Sequence, residues 1–348
     1  MLARSYEILD SLRMPHGLYI ASPSSTYQYI WIRDCFYISL PFLDKDNGHY
    51  EKAYYRMLDL FREYEWKLDI HTRQKPRFEW EYIHARYSSR DIREIHDEPW
   101  GHVQHDMIGA FLFGLGEGLK KKKKMFRDAK DKEIIQKLVG YLKTVEYWHD
   151  PDNGMWEEWK EIHSSSVGAC VAGLASLRPH MEVPDELIRK GIDQLFRMLP
   201  RESQDKRVDL AQLSLIYPYR LLHGALAEYL IQRIEKWLVR ERGVIRYEGD
   251  SYFSTLEEKY GRGLPREQYY GTEAEWTFGL PWLSLCHLQV GNRQKALDYL
   301  KKAETVMVEP GTLPELYYSS TSIPNNNTPL GWSCAMYILA KEALEKLN

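Results

Sequence analysis

Val167-Gly168-Ala169-Cys170-Val171-Ala172-Gly173-Leu174 is apolar or small at every position. A helix of that composition has no polar face, so it is buried on most sides. Tyr50-Glu51-Lys52-Ala53-Tyr54-Tyr55-Arg56-Met57 is the opposite kind, amphipathic and charged, with one face for the core and one for water. Both kinds recur. Gly331-Trp332-Ser333-Cys334-Ala335-Met336-Tyr337-Ile338-Leu339 belongs to the first and Ala296-Leu297-Asp298-Tyr299-Leu300-Lys301-Lys302 to the second. About twelve segments carry apolar residues at helical spacing, and almost none alternates as a strand would. The spacing predicts helices over 1–13, 34–44, 49–64, 103–119, 130–147, 163–176, 185–199, 209–218, 223–240, 273–289, 292–308 and 330–346. The fold class is all-α.

Charged helices alternate with apolar ones, and short connections alternate with long ones. In an up-and-down array alternate connections emerge at the same end, so the long loops are expected to gather on one face and to carry function. Six hairpins closed into a double ring of helices, charged helices outside and apolar ones inside, is the expected architecture. It makes one domain of residues 1–348. A solenoid would give the same rhythm, but no repeated motif supports one.

The chain has 348 residues, 44% of them hydrophobic and 13% aromatic, enough to bury a large core. A formal charge of -3 gives no long-range pull toward nucleic acid or an anionic membrane. The one charge run, Lys120 to Lys124, lies between two helical patterns and reads as a solvated connection. Cys35, Cys170, Cys286 and Cys334 are isolated in apolar or helical contexts, which suggests free thiols in a reducing cytosol. Arg4, Glu7 and Asp10 stand where an export signal would need an apolar run, and no stretch is apolar for the length of a membrane span.

Chemistry concentrates in the loops. Asp150-Pro151-Asp152-Asn153-Gly154 reads as tight turns, and Met155-Trp156-Glu157-Glu158-Trp159 follows. Two adjacent carboxylates raise one another's proton affinity, and indole walls would raise it further by desolvation. One could then be protonated near neutral pH; the plain alternative is two core tryptophans flanking solvated glutamates. Upstream, Tyr27-Gln28-Tyr29-Ile30-Trp31-Ile32-Arg33-Asp34 sets three rings and a guanidinium at a period of two, with Asp34 placed to cap the next helix. This suits a sugar cradle, in which rings stack on apolar faces and charged groups bind hydroxyls, or else a cap beside a surface arginine. Glu98-Pro99-Trp100 puts another tryptophan before a helix. His96, His102 and His105 match no common zinc spacing, so no metal is expected. Gly243 to Asp250 opens a long loop with Arg246, and the loop runs to Trp276, with Glu273 and Glu275 read as helix-start acids. The last long loop holds Thr312-Leu313-Pro314-Glu315-Leu316-Tyr317 and runs through Asn325-Asn326-Asn327 to Trp332. Two carboxylates flanking an aromatic pocket are what glycoside hydrolysis requires, one protonating the leaving oxygen and the other acting as base or nucleophile. Glu157 and Glu315 fit those parts, although Glu315 alone reads equally as a cap.

Taken together these motifs resemble the glucoamylase family, glycoside hydrolase family 15, whose catalytic domain is a six-hairpin (α/α) toroid. The resemblance is collinear over most of the chain. It implies that Arg33 and Asp34 hold the terminal glucose, with Tyr27 beside the developing cation and Trp31 lining the same subsite. Trp100 is similar to the family's stacking tryptophan, and Gln104 and Asp106 follow it as a similar pair. Trp156-Glu157-Glu158 resembles the segment whose first glutamate is the general acid. Arg246, Tyr247 and Trp276 resemble the loop for the next sugar, Glu315 the base, and Leu330-Gly331-Trp332-Ser333 the helix start after it. The implied activity is that of an inverting exo-acting α-glucosidase, needing no cofactor, with Glu158 and Arg246 positioning the leaving sugar. Its carboxyl groups would stand roughly 6.5–9.5 Å apart to admit a water. The β-sandwich and starch-binding modules of some relatives are not seen. Leu313 to Tyr317 also resembles the phosphorylase kinase regulatory subunits, so a sugar-binding regulatory role is the alternative. Trehalases and dextran-cleaving enzymes share the fold.

Overall fold

The computed structural model describes residues 1–96, 100–261 and 263–347, without the side chain of Glu258. The chain divides into two compact units, one made of Met1–Leu12, Ala21–Gln28 and Pro200–Asn348, the other of Arg13–Ile20 and Tyr29–Leu199. Helix dominates each.

In the second unit the helices are Ile32–Ser39, His49–Glu63, Glu65–His71, His105–Lys120, Ala129–Val145, Ser164–Leu177 and Asp185–Met198. Ser164–Leu177 buries every residue but Ala175 and Ser176, as a sequence of apolar and small residues with no charge requires. Asp185–Met198 buries only Leu187, Ile188, Gly191 and Leu195, a stripe of helical period facing inward. Glycine sets how closely Ser164–Leu177 packs on His105–Lys120. A β-carbon on Gly109 would lie 2.3 Å from the Ala169 carbonyl carbon, and one on Gly173 would lie 2.5 Å from the Gly109 oxygen. The backbones touch where side chains would otherwise hold them apart. A short antiparallel pair, Tyr29–Trp31 with Arg86–Ser88, aligns Trp31 with Arg86.

The first unit contains helices Leu2–Leu12, Gly224–Leu238, Thr255–Tyr260, Gly279–Gln289, Arg293–Thr305 and Gly331–Glu345. Gly279–Gln289 is buried from Gly279 through His287, whereas its neighbour Arg293–Thr305 buries only Ala296, Leu300 and Ala303. The Ser284 hydroxyl donates to the Ala296 carbonyl across that pair at 2.7 Å. Strand Glu275–Trp276 pairs antiparallel with Leu316–Tyr317.

Three expectations are corrected. Residues 209–218 form a 3-10 turn, Leu210–Leu215, because Asp209 and Gln212 cap one another's backbone and Pro218 opposes an α conformation at the residue before it. The helix expected from 273 begins at Gly279, since pairing with Leu316–Tyr317 keeps Glu275–Trp276 extended. Glu273 and Glu275 therefore brace loops: Glu273 accepts from the Gly249 and Gly271 N–H groups, Glu275 from those of Arg242 and Ser320. Finally, helix Ile32–Ser39 starts earlier than expected, and Asp34 lies inside its first turn rather than at its cap. The four cysteines are free and buried. Among the described residues no helix is long and apolar enough to cross a membrane.

Candidate active site

The Glu157 loop is closed by a two-residue bridge in which Asp152 and Glu161 exchange backbone hydrogen bonds of 2.8 and 3.0 Å. Asn153 locks it from inside. Its N–H donates to the Val103 carbonyl at 2.6 Å, its Oδ1 accepts from the Val103 N–H at 3.1 Å, and its side-chain amide donates to the Glu158 carbonyl. Gly101 leaves room for this, because a β-carbon there would lie 2.8 Å from both Asn153 Cγ and the Glu157 carbonyl oxygen. The result is a left-handed backbone at Glu157, φ +65°, following Gly154 at +64°. A side chain in that conformation costs about 1–2 kcal/mol, and such outliers gather at functional sites.

The Glu157 carboxylate accepts from Arg33 Nη2 at 2.6 Å. Arg33 is 5% exposed and also donates through Nη1 to Gln104 Oε1 at 2.7 Å, with Asp106 Oδ2 at 3.4 Å. Burial pushes the Glu157 carboxyl up to about 7, and Arg33 holds it from rising further; Asp34 adds a small upward push. The displacement from an ordinary glutamate is worth about 3 kcal/mol against ionisation. At neutral pH this group therefore both holds and releases a proton. The desolvating wall is not the expected one: Trp156 is half-buried, but Trp159 is 47% exposed. Removing the arginine should raise the carboxyl's pKa still further, because the buried carboxylate would lose its cation. Arg33→Met is accordingly expected to move the alkaline limb of a kcat profile to higher pH while raising KM, as a pH series on both proteins would show. An unmoved limb would mean that Glu157 is not the group titrating.

Arg86 escaped the sequence reading. Its guanidinium lies 4.5 Å from the ring centre of Tyr29, 5.9 Å from Trp31 and 4.2 Å from Trp100, and Trp31 and Trp100 meet edge to face at 6.4 Å. The expected period of two holds for Tyr29 and Trp31. Tyr27 belongs to a 3-10 turn and Arg33 to a helix. Glu98 and Pro99 lie outside the described residues.

In the first unit, Glu315 is 2% exposed. Its Oε2 accepts from the side-chain amides of Asn325 at 2.5 Å and Asn327 at 2.7 Å, and Tyr27 donates to the same carboxylate. Asn327 is oriented by Ser24 and Thr26, whose hydroxyls donate to its Oδ1 at 2.5 and 2.9 Å. Burial raises Glu315 above the ordinary carboxylate range, opposed by Asn327, Tyr27, Asn325 and the more distant Arg246. Three donors aimed at one carboxylate favour its charged form. The Tyr27 and Tyr252 hydroxyls share a hydrogen bond of 3.1 Å, Tyr252 stacks on Trp276, and Arg246 lies over both rings at 5.1 and 4.9 Å. Asp250 grips Arg246 with two bonds of 2.6 Å. Trp332 stacks on Phe278 at 4.8 Å, 5% exposed, and packs the start of its helix. The Asn325 and Asn327 roles had a signal, the asparagine run after Glu315, which composition alone could not distinguish from a turn.

Residues 5–180 match the family described as Glycosyl hydrolases family 15. The chain belongs to that family. Family 15 membership agrees with two solved structures similar over the whole length. A glycosidase in complex with glucose superposes with a TM-score of 0.78 at 19% identity, covering 99% of this chain and 98% of its own. The glucoamylase from Saccharomycopsis fibuligera gives 0.70 at 13% identity, covering 99% and 94%. This family 15 chain therefore has the expected glucoamylase-like (α/α) fold. Among curated relatives, the probable phosphorylase b kinase regulatory subunit alpha of Caenorhabditis elegans is 26% identical over 81% of the chain. The chain spans about a quarter of the length of the curated relatives it matches first.

Proposed function

We propose that the protein is an inverting, exo-acting α-glucosidase that releases terminal glucose from α-linked oligo- or polysaccharides. One observation carries the reading: a carboxyl held at about 7 on a strained loop, bonded to a buried arginine whose Nε finds no partner among the described residues. In this reading Glu157 protonates the glycosidic oxygen as the bond to the anomeric carbon breaks. Glu315, charged and oriented by Asn325 and Asn327, removes a proton from the water that attacks the opposite face. Arg33 and Asp34 hold the terminal glucose, with Arg33 Nε left to donate to a hydroxyl. Trp31 and Trp100 stack on sugar, and Glu158, Arg246 and Trp276 bind the leaving unit. The glucose named with one of the similar glycosidases supports a glucose-sized occupant. Free buried cysteines support a reducing compartment.

The regulatory reading is favoured by one finding, the likeness to phosphorylase kinase subunits. The deciding experiment incubates the protein with maltooligosaccharides, isomaltose, trehalose and dextran and follows released glucose. Turnover of an α-glucan is expected. Binding without turnover of any of the four would favour the regulatory role instead.

A further inference from the structure

His84, Glu94 and His96 converge behind the short strand that carries Arg86. Ser88 and Arg93 close a tight turn after that strand, and Glu94 returns opposite Tyr87. Alternate residues of an extended segment share a face, so Glu94 and His96 point the same way. One ligand atom from each of the three side chains lies within 4.8 Å of the other two. His96 Nε2 already stands 3.4 Å from Glu94 Oε2. Bonds of about 2.0–2.2 Å to a tetrahedral zinc put neighbouring ligand atoms roughly 3.4 Å apart.

The second observation is His84 itself. Its ring is fully buried, and its Nδ1 lies 3.2 Å from the Arg86 carbonyl. A carbonyl only accepts, so Nδ1 carries the proton and Nε2 keeps its lone pair. That Nε2 is buried and finds no hydrogen-bond partner among the described residues. A backbone carbonyl fixing the tautomer of a bare imidazole nitrogen is the support that a metal-binding histidine ordinarily has. We infer that His84 Nε2, a Glu94 carboxylate oxygen and a His96 ring nitrogen bind one divalent transition-metal ion of zinc type, at a site separate from the hydrolytic glutamates.

The sequence argued against a metal at His96, His102 and His105, and that set remains unsuitable. His105 Nε2 is taken by Asp150 at 2.9 Å, while His102 lays its ring against His84, centroids 3.7 Å apart. His84 was outside that comparison because it comes ten residues before Glu94. Without metal, Lys67 neutralises Glu94 through contacts of 2.8 and 2.7 Å to its two oxygens. That ion pair explains why Glu94 is buried, but not why an unpartnered imidazole nitrogen is buried beside it. Since each Glu94 oxygen has two lone pairs, a metal on one leaves the other to Lys67. Three protein ligands leave a fourth position for water, and the His96 side chain is 59% exposed, so the ion has a way in.

The test is titration of the full chain with cobalt(II), followed by its visible absorption, with zinc(II) competing the band away and raising Tm. One cobalt per chain with the intense bands of a tetrahedral or five-coordinate site is expected. His96→Ala, at an exposed position that leaves the fold intact, should weaken binding at least about a hundredfold, as should His84→Ala and Glu94→Gln. Lys67→Met removes the cation that repels and competes with the metal and should tighten binding about tenfold. No band at millimolar cobalt, a band that His96→Ala leaves unchanged, or a Lys67→Met protein that binds no more tightly would overturn the assignment.

Discussion

Glu157→Gln is expected to lower kcat on a maltooligosaccharide at least about a hundredfold, the lower end of what general acid catalysis supplies. The loss should belong to chemistry rather than folding. Glutamine tolerates the left-handed backbone as well as glutamate does, its carbonyl oxygen can still accept from Arg33, and the loop is locked by Asn153, whose backbone and side-chain bonds to Val103 the change leaves alone. What disappears is the proton that burial holds on the carboxyl up to about pH 7. A leaving group that needs no proton should bypass the defect. α-Glucosyl fluoride, which departs as fluoride, is expected to be cleaved by Glu157→Gln at close to the wild-type rate. Equal loss on both substrates would remove Glu157 from the role of acid.

Glu315→Gln is expected to lose at least as much, and on the fluoride as well, because water activation is needed whatever the leaving group. The cradle should survive this change too. Asn325 and Asn327 both donate to Oε2, and a glutamine oxygen at that position accepts the same two bonds. Thr277 also fixes the segment by its backbone, donating to the Glu315 carbonyl at 3.0 Å. A folded Glu315→Gln protein that retains activity on α-glucosyl fluoride would show that this carboxylate is not the base. The contrast between the two variants separates the acid from the base without reference to any distance between them.

The parts legible in the sequence were those that local physics sets. Val167 to Leu174 announces a buried helix by having no polar face, and Gly109 and Gly173 show that its small residues serve close backbone approach. Glu157 was visible because a turn-rich run ended in adjacent carboxylates. Arg33 was visible because it closes an aromatic alternation. What long-range pairing decides was not legible. Arg86 reaches Tyr29 and Trp31 through a strand pair of three residues, too short to leave a period in the sequence. Glu275–Trp276 looks helical by composition and is extended because Leu316–Tyr317 pairs with it. Helix Glu65–His71, which follows the break at Tyr64, lies beyond the helix expected over 49–64 and was missed. The metal ligands were missed for a related reason: their grouping depends on a turn that brings Glu94 back beside Tyr87.

The central claim is hydrolysis by single displacement, with Glu157 as acid and Glu315 as base. Proton NMR of a fresh maltooligosaccharide incubation tests it most directly, because the anomeric signals of newly released glucose can be read before mutarotation mixes them. Attack by water opposite the leaving oxygen predicts β-glucose first, growing from zero time and decaying to the equilibrium mixture. Glucose that emerges as the α-anomer, or a carbohydrate-binding protein that releases none, would contradict the account.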